Sequence, residues 1–168
     1  MRLPKPLRRL CLPVAWLGGA CTFAALQVIC RAANPRRRTP MPALDRLRPF
    51  FPDLPLERVR LRLGAHLPIA KNMSAITLGW TVYLRQSELD LGRFQDIELL
   101  AHELVHVRQY AKLGRLRFGA RYGAGVLEGG YWEHPMEQEA YGFTAANAAE
   151  LAAAFATENP TNGFRAPR

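Results

Sequence analysis

Residues 10–30, LCLPVAWLGGACTFAALQVIC, form a run of 21 positions without a charged side chain. Arg8 and Arg9 precede the run, and Arg31 followed by Arg36-Arg37-Arg38 comes after it. A helix of that length spans a hydrocarbon core of ~30 Å, so residues 1–33 are predicted to be a membrane anchor. A cleaved signal segment is the competing reading, with a basic start, an apolar middle and small residues at Ala32-Ala33. The anchor is preferred on two grounds. The run exceeds the ~7–15 residues of a signal core, and the best cleavage site leaves an Arg or a Cys three residues upstream. Arg2, Lys5, Arg8 and Arg9 on one side balance Arg31, Arg36, Arg37 and Arg38 on the other. The positive-inside rule therefore does not assign the side of the membrane on which the rest of the chain lies.

Beyond the anchor the pattern changes three times. Residues 34–44, NPRRRTPMPAL, hold three prolines and a basic run with no apolar period, and read as a linker. A compact domain is expected over residues 45–158, opening with a short helix at Ala43–Phe50. In Glu57–Gly64, Val59, Leu61 and Leu63 alternate with Arg58, Arg60 and Arg62, the period of a strand with its arginines in solvent. Residues 75–84, AITLGWTVYL, are rich in β-branched and aromatic residues and predict a second strand region, bent or bulged at Gly79. From Gln95 to Leu113 apolar residues recur at three- and four-residue spacing, which predicts a helix stopped at Gly114. The five glycines of residues 118–130 read as a flexible connection. A second long helix is expected from Pro135, suited to a first helical turn, to Phe155. Residues 159–168 read as a loose tail. The fold class is thus α+β: a small mixed sheet packed on two helices, with an N-terminal transmembrane helix.

Charge and cysteine usage narrow the function classes. The formal net charge is +9, but residues 1–70 hold 13 Lys/Arg against 3 Asp/Glu, and residues 71–168 hold 10 against 11. The basicity belongs to the front of the chain, where it flanks the apolar run, and no nucleic-acid motif accompanies it. A nucleic-acid partner is therefore not expected, whereas membrane lipid is. All three cysteines, Cys11, Cys21 and Cys30, lie in the apolar run. That excludes a disulfide framework or a cysteine-ligated metal within the domain. Oligomeric state is not legible from composition.

The predicted helix contains His102-Glu103-Leu104-Val105-His106. Histidines four apart project from one face about one turn from each other, so both rings reach a single zinc ion at ~2.0–2.1 Å. Glu103 lies beside the open coordination position, where a carboxylate acts as general base on a zinc-activated water. By chance a chain this long would contain the motif in on the order of 0.5% of cases, so accident is a poor explanation. A catalytic zinc takes a third protein ligand, and the second helix offers Glu133, His134, Glu137 and Glu139. Tyr131, Tyr141 and His134 are candidate oxyanion donors. His66 reads as a surface or capping residue, and Gln109 shares the face of His102.

Two resemblances sharpen this. In gluzincin peptidases the third ligand is a glutamate on a later helix, in a Glu-x-x-Ala/Ser-Asp pattern. Glu137-Gln138-Glu139-Ala140-Tyr141 resembles that pattern, with Tyr141 in place of the aspartate, and implies Glu137 as ligand with Glu139 and His134 as alternatives. The stretch Ile76-Thr77-Leu78-Gly79 to Val82-Tyr83-Leu84, and Leu99-Leu100-Ala101-His102-Glu103-Leu104 to His106-Val107-Arg108-Gln109, resemble "ITxGxxIYL" and "LLAHELxHVxQ". These are features of a bacterial zinc-metallopeptidase family also called the extracellular contractile injection system core domain. The likeness covers roughly residues 40–112, with a fainter extension to 145, and implies a gluzincin-like fold.

The expected function is a zinc-dependent metallopeptidase held at a membrane, in the bacterial inner membrane as a single-pass protein, and acting on peptide or protein substrates. Signal cleavage would make it secreted or periplasmic instead. The alternative is a zinc-binding interaction module at the membrane, weak or inactive in turnover, which the substitution at Tyr141 favours. A third reading makes the basic front end the working part of an assembly protein.

Overall fold

The computed structural model describes residues 5–34, 42–68, 73–129, 131, 133–156 and 164–165. In chain order the elements are α1 (Lys5–Ala33), α2 (Pro42–Leu47), β1 (Arg60–Arg62), β2 (Ala75–Leu78), β3 (Thr81–Leu84), β4 (Glu88–Leu89), α3 (Phe94–Gly129), α4 (Pro135–Ala146), α5 (Ala148–Phe155) and β5 (Phe164–Arg165). Most of the proline-rich linker, and most of the tail apart from β5, lie outside the described residues. The class is mixed α+β, as expected: a small sheet and long helices.

The sheet has the order β1-β3-β2, with β1 parallel and β2 antiparallel to β3. The predicted single strand over residues 75–84 is a hairpin folded at Gly79-Trp80. Gly79, at φ 75°, occupies the first central position of a two-residue turn, where a positive φ favours glycine. The predicted strand Glu57–Gly64 shortens to β1, because Leu56–Arg58 closes a 3-10 turn and Gly64, at φ 63°, bends the chain away. Its alternation survives where it is extended: Leu61 is buried and Arg60 exposed. A separate two-stranded ribbon pairs Glu88 with Arg165 and Leu89 with Phe164.

The first limb of α3, residues 94–113, buries Leu100, Leu104 and Val105 completely against Leu61, Val82, Leu84, Phe51 and Leu151. Three- and four-residue spacing points these side chains to one side of the helix, and burying each is worth ~1.5–3 kcal/mol. At Gly114 the backbone leaves helical geometry, with φ 72° and ψ 168°. The expected stop is therefore a break, after which a second helical limb, residues 115–129, follows. The flexible connection expected over residues 118–130 is helical through Gly129. Gly119, Gly123 and Gly125 serve close packing, which the sequence alone did not disclose. The predicted second helix is likewise interrupted, at Asn147, whose backbone N–H and side-chain Nδ2 both donate to the carbonyl of Phe143.

Among the described residues α1 is the one helix long and apolar enough to cross a membrane, over Trp16–Ala33, a test that a signal sequence also passes. One of its faces packs along α3 in antiparallel sense. A Cβ on Gly19 would stand 2.4 Å from the Gly119 carbonyl and 2.9 Å from the Gly123 Cα. Phe23 meets Phe118 at 5.0 Å between ring centroids, and Gln27 reaches the Gly79 turn. Phe23 and Cys30 join Leu78, Tyr83, Phe118 and Met136 in a second apolar cluster. Its opposite face exposes Val14, Leu17, Val28 and Ile29.

Candidate metal centre

His102 and His106 lie on the first limb of α3, and Glu137 lies in the first turn of α4. All three are buried, and each offers a ligand atom to a common point. The two Nε2 atoms are 3.2 Å apart. Glu137 Oε2 stands 3.3 Å from His102 Nε2, and its Oε1 stands 3.3 Å from His106 Nε2. Ligand atoms at ~2.0–2.1 Å from a tetrahedral metal stand about 3.3 Å from one another, which is the separation of the two Nε2 atoms and of each from its nearer Glu137 oxygen. Oε2 of Glu137 is buried without a hydrogen-bond partner among the described residues, an expensive state for a carboxylate that a metal ion would relieve. The cluster can hold a metal ion. Two neutral imidazoles and one carboxylate form a donor set that suits zinc.

The surrounding hydrogen bonds orient these ligands. Gln109 Nε2 donates to the Met136 carbonyl at 3.0 Å and to Glu139 Oε2 at 2.9 Å. Both amide hydrogens are thereby used, so Oε1 accepts from His106 Nδ1–H at 2.9 Å and leaves Nε2 facing the cluster. Tyr122 donates its hydroxyl to Glu137 Oε1 at 2.7 Å. Thr77, on β2, donates to Glu103 Oε2 at 2.7 Å and so ties that carboxylate to the sheet. Glu103 is buried, on the same helix turn as His102.

The electrostatics of the metal-free protein follow from burial and proximity. Burial alone would drive the His106 pKa down. The hydrogen bond and charge of Glu137, with help from Glu103 and Gln109, outweigh it and lift the pKa to about 9. Burial pushes the Glu137 carboxyl up, but the two histidines and the Tyr122 hydroxyl hold it well below the usual carboxylate range. Burial, then the charge of Glu137, raise the phenols of Tyr122 and Tyr131, which stay protonated as donors.

The remaining candidates separate by position. Glu139 is half exposed, accepts from Gln109 and lies 3.7 Å from Arg108, outside the cluster. His134 is buried, but its Nε2 donates to the Tyr122 carbonyl and its Nδ1 accepts from the Met136 N–H as the cap of α4. Both nitrogens are thus engaged away from the cluster, and burial lowers its pKa. Tyr131 and Tyr141 line the cleft over the cluster, and the Tyr141 ring lies 4.6 Å from that of His102. His66 is remote, its backbone N–H bound to Asn34 Oδ1. Tyr122 and Thr77 were not singled out from sequence. Tyr122 lay in a stretch read as flexible, and Thr77 is one β-branched strand residue among several. The cleft measures about 650 Å³ and is bordered by Met73, Ser74 and Ala75, at the β2 edge of the sheet.

No curated protein and no solved structure matches the chain. A family model described as the eCIS core domain matches residues 39–114, a segment that contains His102, Glu103 and His106 and ends at the break in α3.

Proposed function

We propose that the chain is a zinc-dependent metallopeptidase of gluzincin type, with His102, His106 and Glu137 as zinc ligands and Glu103 as general base. The observation that carries the reading is the buried cluster in which two histidine Nε2 atoms 3.2 Å apart, on the helix turns that bear Glu103, each meet one oxygen of Glu137 from α4 at 3.3 Å, with Oε2 lacking a hydrogen-bond partner among the described residues. When bound there, zinc supplies Lewis acidity, which lowers the pKa of water towards ~7 and polarises a carbonyl. Glu103 takes the proton from the attacking water and passes it to the leaving amine. The Thr77 hydroxyl keeps the Glu103 carboxylate turned to its task. Tyr131 and Tyr141 supply phenolic donors to the carbonyl oxygen as negative charge develops on it. A peptide substrate lies extended along the β2 edge and presents its backbone to the sheet. On this reading the apolar face of α1 holds the enzyme at the inner membrane.

The test is made on the full-length chain with an unfolded protein substrate. Glu103→Gln keeps size and hydrogen-bonding shape but removes the base. Zinc content after dialysis should equal that of wild type while hydrolysis falls by a factor of order 10²–10⁴. Loss of zinc from Glu103→Gln would overturn its assignment as base. A second reading is a zinc-binding interaction module without turnover. Tyr141, where gluzincins carry an aspartate, favours it. Zinc-loaded wild type that cleaves no peptide library would make it the better account.

A further inference from the structure

We infer that Tyr122 is a positioning residue for Glu137, committing one carboxylate oxygen so that the other is presented to the metal. The inference rests on the metal centre proposed above. Each oxygen of Glu137 stands 3.3 Å from one histidine Nε2, but only Oε1 also accepts from Tyr122, at 2.7 Å, and Oε2 is buried without a hydrogen-bond partner among the described residues. A carboxylate with both oxygens free can swing or bind a metal through either or both. One held by a strong hydrogen bond to its Oε1 offers a single oxygen in a fixed direction.

The phenol is itself held by neighbouring rings. It stacks on Phe118 at 6.1 Å between centroids and lies tilted against His134 at 4.4 Å. His134 Nε2–H donates to the Tyr122 carbonyl at 2.9 Å, which locks the backbone of the second limb of α3 to the start of α4. Gly125 makes this approach feasible, since a Cβ there would stand 2.4 Å from His134 Nε2. On its other side the limb is backed by α1, through Gly19 against Gly119 and Phe23 against Phe118. The limb thus acts as a bracket whose tip is the Tyr122 hydroxyl.

The experiment compares wild type and Tyr122→Phe as full-length, metal-free proteins titrated with zinc and with cobalt. Removing only the hydroxyl should weaken zinc about 10–100-fold, as loss of an outer hydrogen bond to a ligand does. It should also change the visible spectrum of bound cobalt, which reports ligand geometry and not fold stability. In a Glu137→Ala background Tyr122→Phe should alter zinc affinity less than about twofold, because the residue acts through Glu137. Zinc affinity and cobalt spectrum both unchanged in Tyr122→Phe overturn the inference while the metal centre stands. The same loss with and without Glu137 overturns it as well, since Tyr122 would then act through the fold. Wild type that binds neither metal overturns the metal centre. Should Tyr122→Phe fail to fold, 3-fluorotyrosine at position 122 keeps the phenol. Its fluorine resonance should move on zinc addition, and a resonance that stays fixed in the zinc-loaded protein overturns the inference.

Discussion

Replacing Glu137 by glutamine tests the centre without metal as well as with it. In the metal-free protein the carboxylate is 2% exposed and faces two imidazoles at 3.3 Å. The His106 pKa rises from 6.5 to about 9, mainly because the hydrogen bond and charge of Glu137 outweigh burial. At ~1.4 kcal/mol per pH unit, that rise corresponds to about 3 kcal/mol of folding stability. A raised basic group contributes fully below its unfolded pKa of 6.5 and loses the contribution as pH climbs through 9. Metal-free Glu137→Gln should therefore be less stable than wild type by up to about 3 kcal/mol at pH 6, and by somewhat less at pH 7. The gap should close by pH 10, where wild-type His106 is neutral too. Glu139→Gln is the control, since this half-exposed side chain gives up a charged bond from Gln109 and a 3.7 Å pairing with Arg108, and it should change stability by less than ~1 kcal/mol. Urea unfolding in EDTA at pH 6, 7, 9 and 10 measures all three proteins. A stability gap that is the same at every pH, or one larger for Glu139→Gln, would refute the buried His106–Glu137 pair. With zinc added, Glu137→Gln should lose most of its affinity and Glu139→Gln little, because only Glu137 faces both histidines.

Further outcomes follow from the same geometry. Zinc binding at pH 7–8 should release about one proton, from His106, and progressively less above pH 9; calorimetry in buffers of different ionisation enthalpy counts it. Gly119→Ala sets a Cβ 2.7 Å from that of Phe23 and 3.0 Å from the Gly19 carbonyl. It should cost about 1–3 kcal/mol and speed proteolysis of α1, and an unchanged melting temperature would contradict the close α1–α3 contact. Leu104→Ala empties a fully buried position behind the histidines, with an expected loss of about 2–5 kcal/mol in thermal or urea unfolding. Full-length chain should stay in the membrane pellet after a carbonate wash, whereas a soluble product beginning near Ala33 would establish a cleaved signal.

What was legible in the sequence was local. His102 and His106 converge because a 3.6-residue period puts positions four apart on one face. The burial of Leu100, Leu104 and Val105 follows from the same period, and the exposure of Arg60 beside buried Leu61 follows from the period of two in a strand. Gly79 and Gly114 announce breaks because a positive φ is cheap only for glycine, although one proved to be a hairpin turn and the other a break with helix on both sides. Which acid meets the histidines was decided by packing. Glu137 and Glu139 are two positions apart on α4, about 200° round the helix, and only the docking of α4 on α3 turns the first inward and leaves the second to Gln109. The glycine-rich stretch after Gly114 shows the limit most clearly. Its composition opposes a helix, and a local reading rightly expects none. The helix exists because absent side chains let backbones meet, Gly119 and Gly123 against α1 and Gly125 against the His134 ring, so that tertiary contact supplies the stability that local propensity withholds. Tyr122 depends on that limb for its reach to Glu137, and so it became visible only once the chain was folded.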